Sequence, residues 1–264
     1  MSKPYSQLTA MLAITKGSFR SILRSPSAVV FSIAFPLVFI LVFGFITVGG
    51  TPCPCPEAMK QVKPKTIDFV LPGQLGFSLL SAGVFGVAFL FFSLRQTLVL
   101  KRFFATPINR GYIVLGEGLS RVLFQLLTSI IILAMGYFFF GFTLVHGLET
   151  FLELLVLSFI GLMVFMGFGF VVSGLAKSES SIPPLANIVT LPQFLLAGTF
   201  FSIDVFPKWL QPLCNVLPLT HLNDAMRKVA FEGAHLTDCG KQIGVLALWG
   251  VVVYMLAIKF FKWE

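Results

Sequence analysis

Six long apolar runs, separated by charged or proline-bearing segments, organise this chain: 28–48, 69–94, about 122–142, 151–176, 182–201 and 243–261. Each approaches the roughly 20 residues that carry a helix across about 30 Å of hydrocarbon. Runs this continuous satisfy their backbone hydrogen bonds as helices, not as the short alternating strands of a barrel. The pattern predicts an all-α integral membrane protein of six transmembrane helices, in a single transmembrane domain covering 1–264. The first run exceeds the apolar core of a signal peptide, about 7–15 residues. No small-x-small cleavage pattern follows it in "GGTPCPCPE", so it is read as a span.

The segments between the runs have patterns of their own. In residues 1–25, Leu8, Leu12, Phe19 and Leu23 share a helical face, with Lys16, Arg20 and Arg24 recurring beside it until Ser25-Pro26 breaks the helix. This predicts an amphipathic interfacial helix, acting either as an anchor to anionic lipid or as a brace for a partner subunit. Between the second and third runs, Leu98, Val99 and Phe103 alternate with Arg95, Lys101 and Arg102, and Thr106-Pro107 then stops the helix before Arg110-Gly111 turns back. A loop that only set topology would need the cations but not this order, so 95–111 is read as a docking element. The stretch 202–240 holds Pro207, Pro212 and Pro218 and is too polar for a span yet too apolar for a free loop. Trp209 and Phe206 beside Lys208 suit the membrane interface. Irregular backbone at membrane depth must be packed in protein or line a wet cavity, so this stretch predicts outer re-entrant helices between spans five and six, serving as a gate or a structural lid.

Composition agrees with the membrane reading. The chain is 56% hydrophobic and 11% charged, with a mean hydropathy of +0.92, against about a quarter charged in soluble domains. With the N-terminus inside, twelve of the 19 Lys and Arg residues fall on inner segments, and eight of the 11 acids fall on outer ones. Lys and Arg set orientation, so both termini are expected in the cytoplasm, with the chain in the plasma (bacterial inner) membrane. The Lys60, Lys63 and Lys65 cluster runs against the rule.

Charge inside the spans is sparse, which argues against an ion-driven secondary transporter. Glu117 and Arg121, spaced i, i+4, read as a local ion pair at the membrane surface. No GxxxxGK[ST] loop occurs, so no nucleotide site is expected. His146, His221 and His235 stand apart in sequence, and neither a metal site, a catalytic constellation nor a nucleic-acid partner is predicted. Cys53, Cys55, Cys214 and Cys239 all fall on the outer side, where disulfides persist in an oxidising compartment. A Cys214–Cys239 bridge is the expected pair; free thiols, or a soft metal on "CPC", are the alternatives. Small residues at Ser78, Ala82 and Gly86, at Gly240 and Gly244, and in "GFGFVVSG" predict close helix contacts.

The stretch "RQTLVLKRFFATPINRGYIVLGEGLS", residues 95–120, resembles the signature loop of type-2 ABC exporter permeases. The match is good at Arg95, Leu100, Arg102, Thr106, Pro107 and Gly116; it departs at Gln96, Leu98 and Val99, where members often carry Glu, Gly and Thr. "LRSPSAVVFSIAFPLVFILVFG", residues 23–44, and residues 191–233 resemble the family's first span and its outer re-entrant segment. The resemblance implies a permease subunit that forms a substrate pathway with a second permease copy or paralogue among membrane lipids. A separate cytoplasmic ABC ATPase subunit would bind ATP and Mg, this chain holding no cofactor itself. It further implies a coupling surface at Arg95, Lys101, Arg102, Phe103, Thr106, Pro107 and Arg110, and an outer gate at Phe200, Phe201, Phe206, Trp209 and Pro218. Apolar spans favour a lipid-like or hydrophobic drug-like cargo, although the family also moves polysaccharides. The rival functions are a non-transport membrane scaffold or assembly subunit, and a secondary transporter.

Overall fold

The computed structural model describes residues 7–24, 34, 36–42, 66–96 and 109–260, and among these every regular element is helical. Helix α1 covers Gln7–Leu23. Helix α2 runs as Thr66–Ser81, a π-helical turn at Ala82–Gly86, and Val87–Gln96. Then follow α3, Arg110–Phe140, α4, Leu148–Leu175, α5, Ile182–Leu196, the short α6, Gln211–Cys214, α7, Pro218–Phe231, and α8, Gly240–Phe260.

Four stretches among the described residues are long and apolar enough to cross a membrane: Ile67–Gln96, Gly111–Phe140, Leu148–Leu175 and Leu236–Phe260. They correspond to the second, third, fourth and sixth predicted runs. The fifth run forms a helix of only 15 residues. At 1.5 Å per residue it reaches about 22 Å, short of the hydrocarbon thickness. Of the first run, residue 34 and residues 36–42 are described, and all are helical, with Ile40 fully buried.

The third helix starts some twelve residues before the apolar run, because Asn109 caps it by accepting from the Gly111 N–H at 3.3 Å. At its other end Gly141 takes the left-handed conformation, φ 62°, which lets the chain turn without a Cβ clash. Glu117 and Arg121 therefore lie inside α3.

Helix α4 is the hub, packing against α2, α3, α5, α7 and α8. Its approach to α2 runs through Gly83 and Gly169: a Cβ on Gly169 would stand 2.5 Å from the Gly83 carbonyl oxygen, and one on Gly83 would stand 2.7 Å from Phe165 Cβ. The predicted stripe on α2 has a different use. Ser78 Oγ accepts from Gln125 Nε2 at 3.1 Å, and Gly86 makes room for the Arg121 guanidinium, so this face meets polar groups of α3. "GFGFVVSG" does form a thin surface, Gly167 packing on Val253 and Tyr254 of α8. Gly240 and Gly244 receive no helix among the described residues of their own chain, since a Cβ at either would meet nothing within 4 Å.

Candidate coupling surface and outer gate

At one end of the bundle α1 packs along the beginning of α3. Thr15 Oγ1 lies 3.0 Å from the Met11 carbonyl oxygen and 3.1 Å from that of Gly116, and Ser18 Oγ donates to Glu117 Oε1 at 2.6 Å. Gly116 allows this closeness, as a Cβ there would press on Ile14. The Asn109 N–H donates to Gln7 Oε1 at 3.1 Å, so the point where the chain re-enters a helix is tied to the first turn of α1. Leu8 and Leu12 are exposed on the opposite side with Lys16 and Arg20. Helix α1 thus braces the beginning of α3 in its own chain, while its outward face keeps the amphipathic character of an interfacial helix.

Among the predicted coupling residues, Lys101, Arg102, Phe103, Thr106 and Pro107 lie outside the described residues. Arg110 opens α3. Arg95 is used within the chain: its Nη2 donates to the Ser173 and Ala176 carbonyl oxygens, at 3.3 and 2.9 Å, and its guanidinium lies 5.3 Å from the Phe92 ring centre. It caps the last turn of α4, where unpaired carbonyls and the negative end of the helix dipole favour a cation. Glu117 bonds to α1, and Arg121 is directed at Gly86 with its Nε buried and unpartnered. Among the described residues no direct salt bridge joins the two, although the Glu117 charge still favours the guanidinium electrostatically.

At the opposite end, short helices fill 202–240. Ser202 Oγ accepts from the Asp204 N–H at 3.3 Å to start the turn Ile203–Val205. Pro218 opens α7, whose residues are nearly all buried against α2, α4 and α8. The expected gate residues do not converge. Phe200 packs in an aromatic row, tilted against Phe39 at 5.7 Å and edge-on to Phe194 at 5.3 Å, and Phe194 continues it to Phe77 at 4.2 Å. Phe201 and Trp209 are exposed, Phe206 is half-buried, and Pro218 is buried at the start of its helix.

What joins this segment to the bundle is a polar face of α7 that the sequence reading missed. Arg227, fully within the protein, donates from Nε to the Phe69 carbonyl at 3.1 Å and from Nη2 to those of Gly198 and Thr199, at 2.6 and 3.4 Å. Its guanidinium stacks 3.6 Å from the Phe69 ring centre. One turn earlier, Asn223 Nδ2 donates to the Ala197 carbonyl at 3.1 Å. Gly198, φ 66°, bends the chain so that these carbonyls face α7. The spacing of Thr220, Asn223, Asp224 and Arg227 on one helical face was the available signal. A cavity of ≈ 230 Å³ beside Arg227 is lined by Phe69, Ser202, Asp204, Gln211, Asn215 and Asp224, among others. None of the five expected gate residues lines it.

The Cys214–Cys239 bridge is not formed. Both are free, buried thiols: Cys214 ends α6, and the Cys239 Sγ–H is directed at the Ala225 carbonyl, 3.9 Å away. Burial as a small apolar group accounts for each without a partner. Cys53 and Cys55 lie outside the described residues. His221 is hydrogen-bonded, its Nε2 lying 2.8 Å from the Asn215 carbonyl. His146 and His235, distant in sequence, stack with ring centres 5.0 Å apart, and His235 sits with Glu149 and Glu153 in a cluster where no metal-ligating group was expected.

The chain resembles known proteins over most of this framework. It is 24% identical over 216 residues to ABC transporter G family member 20 of Dictyostelium discoideum, covering 81% of this chain and 29% of that protein. It is 23% identical to the "Probable multidrug ABC transporter permease YbhR" of Escherichia coli strain K12, over 60% of this chain and 41% of that one. With the inner membrane transport permease YadH of the same strain, identity is 25% over 72% of each. The chain thus spans under half the length of the first two of these relatives. The ABC-2 type transporter family matches residues 9–231, from α1 through the end of α7. A match over that extent, on a bundle of long apolar helices against which α7 is buried, makes this chain an integral membrane member of the ABC-2 type transporter family.

Proposed function

We propose that this chain is the permease half of an ABC exporter, working as a dimer with a second copy or a paralogue and driven by a separate cytoplasmic ATPase. The observation that carries this reading is the family match across 9–231. The energy source in this reading is a partner ATPase, which binds ATP and Mg. Runs 28–48 and 182–201 complete six spans, the fifth being extended by the segment that follows its helix. Both termini face the cytoplasm of a bacterial inner membrane.

In this mechanism, ATP closes the ATPase pair and 95–111 receives the motion. The contacts of Asn109 with Gln7, and of Ser18 with Glu117, support transmission to α1 and α3 as one unit. Arg95 acts as a positioning residue that joins the end of α2 to the end of α4. The two permease halves then rock to open a path between them, and 202–240 acts as an outer re-entrant gate held on α2 by Arg227. The cargo is lipid-like or hydrophobic. Reconstitution tests this: liposomes holding the chain and its ATPase should show ATP-dependent transport that either component alone lacks. Transport driven by ATP from this polypeptide alone would overturn it.

A further inference from the structure

Glu149 and Glu153 stand one turn apart at the start of α4, and the turn between α7 and α8 sets His235 against both. One donor atom from each of the three lies within 4.8 Å of the others. The separations are informative. His235 Nδ1 is 3.7 Å from Glu149 Oε1 and 3.5 Å from Glu153 Oε1. A direct imidazolium–carboxylate hydrogen bond would be about 2.7–2.9 Å. Ligands arranged tetrahedrally at about 2.0–2.2 Å from a zinc ion stand about 3.4 Å apart, close to the two imidazole–carboxylate separations. Glu153 is also under-used: its Oε1 accepts from the Leu236 N–H at 3.1 Å, while its Oε2 is buried with no hydrogen-bond partner. Two like charges one turn apart repel each other, and a cation between them removes that cost.

We propose that Glu149, Glu153 and His235 form a site for a zinc-class divalent cation, with water as the fourth ligand. One imidazole nitrogen and two carboxylate oxygens suit Zn²⁺, whereas Mg²⁺ demands six oxygens in an octahedron. His146 stays outside the coordination sphere. Its ring is stacked on that of His235 at an interplanar angle of 14°, and its Nε2 lies 3.3 Å from the Gly233 carbonyl, so it holds the ligand ring in place. The ion would clamp the beginning of the fourth span to the junction of α7 and the last span, and so restrain the segment that Arg227 docks. The site rests on this geometry and not on the transport reading.

The test uses the purified full chain in detergent, with Cys53→Ser and Cys55→Ser introduced to remove the other soft ligands. Zn²⁺ is titrated against a chelating dye, and melting is followed with Zn²⁺ or Mg²⁺. The expected result is saturable binding of about one Zn²⁺ per chain and a rise in Tm with Zn²⁺ that Mg²⁺ does not reproduce. His235→Ala, and the milder Glu149→Gln at a largely exposed position, should each weaken binding at least about tenfold, while His221→Ala should leave it unchanged. Absence of saturable binding, equal response to both ions, or equal affinity in Glu149→Gln and the parent protein would each overturn the site.

Discussion

Arg227 makes two contacts with Phe69: its guanidinium lies 3.6 Å from the ring centre, and its Nε donates to the same residue's carbonyl at 3.1 Å. The rest of the fork holds Gly198 and Thr199, so one side chain joins α7, the start of α2 and the turn after α5. Removing it strands buried carbonyls, each at a cost of about 1–3 kcal/mol. Arg227→Ala should therefore lower the Tm of the detergent-solubilised chain sharply. Arg227→Lys keeps the charge but loses the planar fork and its stacking, and should fall between. A Tm for Arg227→Ala equal to the parent's would refute the clamp.

Arg95 caps α4 within the chain, so its effect should be visible without any ATPase. Arg95→Ala should cost about 1–2 kcal/mol and speed amide exchange in the last turn of α4, around Ser173 and Ala176. If exchange there is unchanged and only ATPase capture is lost, Arg95 is a docking residue instead.

The coupling loop makes a separate claim. Arg102→Glu should leave membrane insertion intact, since twelve inner cations still give an inner excess when one is reversed. A desolvated contact at the ATPase would cost about 2–5 kcal/mol when broken. Co-purification with the ATPase should then drop, while Lys262→Glu, away from the proposed contact, stays near the parent level. Equal behaviour of the two variants would reduce the loop to a topology signal.

Helix contact is testable at two glycines. Gly169→Val drives a branched side chain into the Gly83 and Val84 carbonyls and should prevent correct packing. Gly244→Ala, in open space on α8, should be neutral or stabilising by about 0.5–1 kcal/mol, the helix-propensity gain alone. Size-exclusion profiles and melting of both proteins decide the matter.

The thiols give a chemical check. Cys214 and Cys239 should resist alkylation in the folded chain and both react after unfolding without reductant, as buried free thiols do. Failure of either to react in the unfolded, unreduced protein would show a bridge.

Apolar run length was enough to derive a helical membrane protein and four of its long helices, because lipid leaves a continuous apolar stretch one way to satisfy its backbone. The loop order around Thr106-Pro107 was likewise sufficient to point to the family. Pairing was a different matter. Nothing local tells that Arg95 caps Ala176, that Gly83 rather than Gly86 meets α4, or that Arg227 finds Phe69 across 158 positions. Local spacing paired Glu117 with Arg121, but only tertiary packing showed that the carboxylate also takes a hydrogen bond from Ser18. Buried polar groups take whatever partner the fold brings within reach, since leaving them unpaired costs more than any local preference returns. The Glu149, Glu153 and His235 cluster has the same origin: the carboxylates are one helical turn apart in sequence, and only the return of the chain between α7 and α8 supplies the imidazole.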